Sequence, residues 1–395
     1  MESTINYNND FSAKEPSLGY FYQLRYGLLE LLKSDMESVI YIESLDDILL
    51  ENKDKLSFFQ TKYHKNSTIN LTDRSTDFWK TMRVWCTNIS NGLDIENSNF
   101  YLITTEKVSD DSIIFDLKEK KDIKNIIEKL NEISKETTNK TNAKGYSAYN
   151  NLGEKQKTIL INRIKIIDTS IDFLEIKSQI LKQLRMSTYK EVIELLFERL
   201  EGWWFANCLL HLQGLKTNIS YSEMHTKIID IAESFQKDNL PIDFPEFIDF
   251  SEDELIEKDN LNYVKQLKLI NATNRIIKNA TSDYYRAYEQ KSKWLSNDLI
   301  NPVELSNYDS ILIDNWKPKF DLLLDECDEK TNTTPEELAI IFYKEFYVKN
   351  PPQLYIRDKF TSTYMITGSC HMLSDDLKIG WHPEYRKKIG GVNEK

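Results

Sequence analysis

The residues best suited to chemistry lie in Val39–His64, VIYIESLDDILLENKDKLSFFQTKYH. Glu43, Asp46 and Asp47 follow one apolar, β-branched run, and Gln60 and Lys62 sit on the next. Strand alternation puts Gln60 and Lys62 on a common face. Carboxylates, a carboxamide oxygen and an ammonium meeting at one place suit hydrolysis of a phosphodiester. Hard oxygen donors hold Mg²⁺, and such an ion stabilises charge on phosphate and acidifies a water. The lysine positions that water or offsets the developing negative charge. The competing reading is a solvated hairpin with ordinary surface charges. A lone Gln-x-Lys does not decide between the two, but here the polar residues interrupt runs that read as buried.

The elements around these residues form an alternating series. Leu18–Leu32 has apolar residues at helical spacing. Ser38–Ser44 reads as a strand, Glu51–Lys55 as a polar turn, and Leu56–His64 as a second strand. Asn66–Ser75 reads as a loop, Thr76–Ile89 as a helix, Phe100–Thr104 as a strand and Lys121–Lys135 as an amphipathic helix. This order predicts an α/β sandwich around a small mixed sheet. Thr137–Gly153 reads as a loop, with Gly145 and Gly153. Periodicity leaves Ile159–Ile167 undecided between strand and helix. Lys190–Leu212 is helical in pattern, and the chain beyond residue 215 is mostly so. Ser251-x-x-Glu254 resembles a capping box ahead of a long helix reaching toward Trp294. Thr334-Pro335-Glu336-Glu337 reads as a helix start, and Pro351-Pro352 as its stop.

At 395 residues, length alone suggests two or three domains. We expect an arm over 1–16, a first domain over 17–215 and a mostly helical second domain over 216–395. Apolar residues make up 40% and aromatic ones 12%, enough for a packed core and against disorder throughout. The net charge of −12 argues against a bulk nucleic-acid coat. Asn52–Arg83 nevertheless carries seven basic residues, Lys65 and Arg74 among them, against three acidic ones. A basic stretch beside the carboxylates suits a phosphate backbone, although a solvated face is the commoner cause of such a bias. No apolar run is long enough to span a bilayer, and the polar N-terminus has no signal-peptide core. The four cysteines are far apart and form no CxxC pair, which fits a reducing cytoplasm.

Gly19–Leu32 (GYFYQLRYGLLELL), Val39–Ile48 (VIYIESLDDI), Phe58–His64 (FFQTKYH) and Phe78–Ile89 (FWKTMRVWCTNI) together resemble a known domain. It is the double-stranded DNA nuclease domain of bacterial anti-phage effectors, of the PD-(D/E)xK, restriction-endonuclease-like superfamily. Ile159–Asp168 and Phe197–Phe205 are similar to later parts of it. Thr363–Pro383 (TYMITGSCHMLSDDLKIGWHP) resembles the tail shared by effectors of three-component systems with an SMC-like ATPase, of the Lamassu type. The resemblance implies a restriction-endonuclease-like mixed sheet followed by a helical domain. It implies Asp47 as the acid opening the second strand, a metal ligand, with its neighbour Asp46 as the competing choice. Gln60 stands at the superfamily's Glu/Gln position and Lys62 at its lysine. Glu43 supplies a further carboxylate, and Gln23 on the first helix a polar group from across the site. Gln at 60 departs from the commoner Glu and removes one negative charge, so Asp47 and Glu43 matter more. The implied cofactor is Mg²⁺ or Mn²⁺. The implied partners are double-stranded DNA, an SMC-like ATPase and a small middle subunit.

An indiscriminate nuclease would poison its host. We therefore expect restraint by the partners and activation by self-association to a dimer or tetramer, in the cytoplasm and away from membranes. A non-catalytic adaptor that only binds DNA or a partner is the rival expectation, and the neutral Gln60 gives it weight. Three further groups have blander readings. Cys208 and His211 share a helix at metal-ligand spacing without a second pair, so packing is favoured. Trp203, Trp204 and Phe205 form either a base-stacking platform or, more commonly, core. His371, Asp375, Asp376 and His382 form either a second metal site or, as we favour, a folded assembly element turned at Gly368 and Gly380. Leu261–Trp294 reads equally as an oligomer interface or a core helix.

Overall fold

The computed structural model describes residues 13–64, 70–329, 332–349 and 351–390. The chain divides into two compact units, one ending at Ala232 and the other beginning at Glu233.

The first unit opens with α1 (Lys14–Lys33), which buries Tyr22, Gln23, Leu24, Tyr26, Leu28, Leu29 and Leu31. Residues 14–16 of the expected arm therefore belong to this helix, and residues 1–12 lie outside the described residues. Strands β1 (Val39–Ile42), β2 (Ile48–Asn52) and β3 (Lys55–Lys62) form an antiparallel meander. The β2–β3 turn is tighter than its polar sequence suggested. It uses only Lys53 and Asp54, with Lys53 at φ +53°. After β4 (Asn70–Leu71), helix α2 (Thr76–Ser90) crosses over to β5 (Ser98–Thr104), parallel to β3. β6 (Lys107–Val108) pairs with β4 as a separate parallel ribbon. Helices α3 (Ile113–Lys118), α4 (Ile123–Ile133), α5 (Ala143–Asn150) and α6 (Glu154–Arg163) lead to β7 (Ile164–Ile167), parallel to β5. Helices α7 (Phe173–Leu184) and α8 (Ile193–Leu212) precede β8 (Ile219–Ser220), which pairs with β1, and α9 (Tyr221–Ser234) follows. The result is a mixed six-stranded sheet in the order β7-β5-β3-β2-β1-β8.

One face of this sheet supplies Leu49, Phe58, Phe100, Leu102 and Ile166, packed under Phe78, Trp79, Met82 and Trp85 of α2. Helix α1 packs against β1, β2 and β3, with Tyr26 beside Phe59. Two expectations change here. The expected loop Thr137–Gly153 contains α5, because Tyr146 and Tyr149 bury against Trp79 and Gly145 lets the helix approach the Trp79 carbonyl. Ile159–Ile167 is half helix and half strand, split at Ile164 where pairing with β5 begins. Because β8 joins the same sheet, the first unit runs on past residue 215.

The second unit contains α10 (Glu252–Glu257), α11 (Asn262–Leu269), α12 (Asn274–Ser296), α13 (Pro302–Glu329) and α14 (Pro335–Tyr343). A π-helix (Lys344–Lys349), α15 (Thr363–Asp375) and α16 (Tyr385–Gly390) complete it. Both capping boxes are present, with Ser251 and Thr334 each reciprocating a glutamate three residues on. The Ser251 box starts only α10, a single short helix. Asn271, at φ +54°, ends α11, so no continuous helix reaches Trp294 from there. Helix α12 is a core helix, with Ile277, Ala280, Thr281, Ala287, Gln290 and Trp294 buried. Gly368 is not a turn residue but sits inside α15, where an added Cβ would meet the Asp283 carbonyl. Gly380 likewise admits the Tyr385 ring rather than a left-handed turn. Among the described residues, no helix is long and apolar enough to cross a membrane.

Candidate functional site

Strand β1 stops at Ile42 because Glu43 adopts φ +51°, and the Glu43 N–H closes the bend by donating to the Asp47 carbonyl at 3.0 Å. β2 then begins with Ile48 opposite Phe59 of β3. Continuing that register by one residue sets Asp47 across from Gln60. The Asp47 carboxylate accepts from the Thr61 N–H (2.8 Å) and the Thr61 hydroxyl (3.1 Å) at Oδ2. From α1, Gln23 Nε2 donates to Glu43 Oε1 (3.0 Å) and to the Asp47 carbonyl (2.6 Å). One end of the sheet thus gathers Gln23, Glu43 and Asp47 beside Gln60, Thr61 and Lys62. Alternation along β3 keeps Gln60 and Lys62 on the face of Phe58. Gln60 is 5% exposed and Lys62 is half-buried.

Asp46 and Asp47 have different environments. Asp46 is 6% exposed, accepts from Trp85 Nε1 at 2.6 Å on Oδ2, and accepts from the Asp47 N–H at 3.1 Å on Oδ1. Burial pushes its carboxyl up to about 7, with Asp47 adding to the rise and the Trp85 hydrogen bond opposing it. Among the described residues, Asp47 keeps Oδ1 without a donor. Glu43 is also raised, by desolvation first. The Gln23 hydrogen bond lowers it, Asp47 raises it, and the Lys62 charge lowers it. Lys62 acts in the same direction on Asp46, so its ammonium lies within electrostatic reach of both carboxyls.

The donor set suits a hard dication. Glu43 and Asp47 lie at the sheet end that also carries Gln60, and oxygen donors of these kinds are those a dication takes, but among the described residues Glu43, Asp46 and Asp47 do not bring three ligand atoms within 4.8 Å of one another. The other candidates are placed elsewhere. Lys65 lies outside the described residues. Arg74 donates to Glu136 at 2.9 Å and is not part of the carboxylate cluster. Cys208 is buried core, and His211 Nδ1 meets the Lys216 carbonyl at 2.9 Å. Trp204 is buried and donates to the Leu24 carbonyl, so it is core and not a stacking surface. His371 is fully buried among Tyr343, Tyr347 and Trp381. His382 Nδ1 accepts from the Glu384 N–H at 3.0 Å, and Asp375 accepts from the Tyr263 N–H at 3.2 Å. Neither that group nor the Cys208–His211 pair forms a metal-ligand cluster among the described residues.

Sequence reasoning missed a different convergence. His64, just beyond β3, meets Asp77 of α2 at 2.8 Å and Glu106, just beyond β5, at 3.8 Å. These three could hold a metal ion, their ligand atoms lying within 4.8 Å of one another. His64 stands in the FFQTKYH stretch, but no spacing in the sequence links it to Asp77 or Glu106. The parallel pairing of β3 and β5 brings His64 and Glu106 together, and the start of α2 adds Asp77.

No curated protein matches the sequence. Among solved structures, the Acinetobacter baumannii Cap4 SAVED/CARF-domain containing receptor with the cyclic trinucleotide 2'3'3'-cAAA matches at TM-score 0.34 and 12% identity. That match covers 57% of this chain and 47% of the receptor. The Moraxella osloensis Cap4 SAVED/CARF-domain containing receptor matches at TM-score 0.34 and 14% identity, over 70% of this chain and 62% of the receptor. This chain spans less than two thirds of the length of either receptor. Residues 263–389, most of the helical unit, match the family model for C-terminal domain 7 of the ABC-three component (ABC-3C) systems. That match supports membership of the chain in such a multi-component defence system.

Proposed function

We propose that this chain is a metal-dependent endonuclease of double-stranded DNA, the effector of an anti-phage system of the Lamassu type. The supporting observation is the gathering of Glu43, Asp47, Gln60 and Lys62 at one sheet end, with Gln23 tying Glu43 to Asp47. The resemblance of these segments to restriction-endonuclease-like nucleases supplies the substrate class. Mg²⁺ or Mn²⁺ among these oxygen donors would supply positive charge to the scissile phosphate and acidify a water. Asp47 is the ligand of choice over Asp46, since both Asp46 oxygens are already engaged and the residue is buried against Trp85. The Thr61 bonds fix Asp47, and Gln23 fixes Glu43, so the carboxylates need little reorganisation when substrate arrives. Lys62 holds the attacking water and offsets the charge that grows on phosphate as the P–O3′ bond breaks.

The helical unit is the natural element for restraint and assembly, given its match to an ABC-3C C-terminal domain. An SMC-like ATPase and a small middle subunit would hold the nuclease off, and self-association would pair two sites for a double-strand cut. The test is cleavage of supercoiled plasmid by the assembled complex, with and without Mg²⁺. Lys62→Ala should lose roughly 10²–10³-fold in rate, the usual worth of one charge-stabilising group. Equal cleavage by wild type and Lys62→Ala overturns the site. A second reading, a non-catalytic adaptor, draws on the neutral Gln60. It is favoured if no divalent ion binds in the presence of DNA, and disfavoured if binding is lost in Asp47→Ala.

A further inference from the structure

We propose that His64, Asp77 and Glu106 form a second cation site, separate from Glu43 and Asp47, that takes a borderline divalent ion such as Zn²⁺ or Mn²⁺. One imidazole with two carboxylates is a donor set for such ions, whereas an all-oxygen set suits Mg²⁺. The distances are close to what an ion needs. His64 Nε2 lies 2.8 Å from Asp77 Oδ2 and 3.8 Å from Glu106 Oε1. Ligand atoms at ordinary metal–nitrogen and metal–oxygen lengths sit roughly 3.4 Å apart across a tetrahedron, so small side-chain shifts complete the geometry.

Glu106 supplies the independent observation. The residue is 5% exposed, yet among the described residues its carboxylate receives no hydrogen bond, its nearest cation being His64 at 3.8 Å. A carboxylate this enclosed, with His64 as its positive neighbour, gains from an added cation. Burial raises the Glu106 carboxyl above its usual range, the His64 charge lowers it and Asp77 raises it.

The backbone at His64 and Glu106 is fixed by neighbouring threonines. The His64 N–H donates to the Thr105 hydroxyl oxygen (2.8 Å), and that hydroxyl donates back to the His64 carbonyl (3.2 Å). The Glu106 N–H donates to Thr104 Oγ1 (3.1 Å), and the Thr169 N–H donates to the Glu106 carbonyl (2.9 Å). These bonds fix the main chain that carries the His64 and Glu106 side chains. An ion there would clip together the ends of β3 and β5 and the first turn of α2. His64 is 41% exposed, which leaves a path for the ion and room for water ligands.

The experiment uses the untagged full chain, stripped with EDTA and given one equivalent of Mn²⁺, with pulsed EPR to detect a directly bound imidazole nitrogen. Wild type should show ¹⁴N modulation, and Zn²⁺ should displace the signal. His64→Ala should abolish it, and Glu106→Gln should weaken Mn²⁺ binding roughly tenfold or more. Asp47→Asn should retain it, which separates this site from the proposed nuclease centre. Circular dichroism checks that each variant is folded, and His64→Gln serves as the milder replacement if alanine is not tolerated. Absence of nitrogen coupling both in folded wild type and in folded Asp47→Asn, where the other centre no longer competes for Mn²⁺, would reduce the cluster to a His64–Asp77 ion pair and overturn the proposal. So would coupling that survives in both His64 variants or disappears in Asp47→Asn.

Discussion

Gln23 offers a sharp test of the carboxylate geometry. It is 4% exposed and donates through one nitrogen to Glu43 Oε1 at 3.0 Å and to the Asp47 carbonyl at 2.6 Å. Replacing it with leucine removes a bond to a charged acceptor, worth ~2 kcal/mol. The Asp47 carbonyl stays satisfied by the Glu43 N–H. Replacing it with glutamate instead sets a second carboxylate oxygen about where the nitrogen was. Two unit charges 3.0 Å apart repel by about 5 kcal/mol at an effective dielectric constant near 20. Protonating one carboxyl at pH 7, from an ordinary value near 4.3, costs only ~4 kcal/mol, so the pair takes up a proton. The shared proton replaces the lost hydrogen bond, leaving Gln23→Glu about 4 kcal/mol less stable than wild type at pH 7. A carboxyl whose folded pKa is raised costs nothing below its unfolded value, and the cost grows as pH rises. At pH 5 the deficit should therefore shrink to ~1 kcal/mol. The Gln23→Leu deficit should stay near ~2 kcal/mol at both pH values. Millimolar Mg²⁺ at pH 7 should restore much of the stability of Gln23→Glu and little of Gln23→Leu. Urea unfolding followed by tryptophan fluorescence measures all of these. Identical deficits for the two variants at both pH values, with or without Mg²⁺, would refute the claim that Gln23 faces the carboxylate site.

Two further outcomes test the packing. Gly145→Ala would gain ~1 kcal/mol in an open helix, but its Cβ falls 2.4 Å from the Trp79 carbonyl oxygen. We expect a net loss of about 2 kcal/mol, and a raised unfolding temperature would contradict the close approach of α5 to α2. Burial holds His371 neutral, lowered to about 3 from 6.5. Its unfolded form takes up a proton as pH falls while its folded form does not, so the second unit should lose ~2 kcal/mol between neutrality and pH 5. His371→Gln should flatten that slope, and an unchanged slope would assign the pH dependence to other groups.

Much of the first unit was legible because its chemistry and its periodicity coincide. The apolar runs at Val39–Ile42 and Phe58–Phe59 are strands, and Thr76–Ser90 is the helix its stripe of Phe78, Met82 and Trp85 requires. Helix α5 was not legible, because AKGYSAYN has no apolar stripe and owes its place to Tyr146 and Tyr149 meeting Trp79. The two residues of β8 carry no strand signal, and pairing with β1 makes them one. In ILINRIKII the apolar residues run without a break, so only the β5 edge decides where helix yields to strand. The His64 cluster was hidden for a similar reason. Its three members have ordinary local sequences and acquire meaning only when parallel strands bring their ends together.

The neutral residue at position 60 has a physical reason that the sequence alone did not supply. Asp46, at 6% exposure, already rises to about 7 despite hydrogen bonds from Trp85 and the Asp47 N–H. Gln60 is buried to the same degree, at 5% exposure, on the adjoining strand. A glutamate there would add a carboxyl at the sheet end that carries Glu43, Asp46 and Asp47, where the Lys62 charge already offsets Glu43 and Asp46. In the absence of an ion it would meet both the burial penalty and the repulsion that already raise Asp46. A carboxamide offers a metal or phosphate-bound water the same kind of oxygen without that charge. If the proposed centre takes an ion, this exchange lowers its affinity for that ion and spares the protein a further buried charge without it.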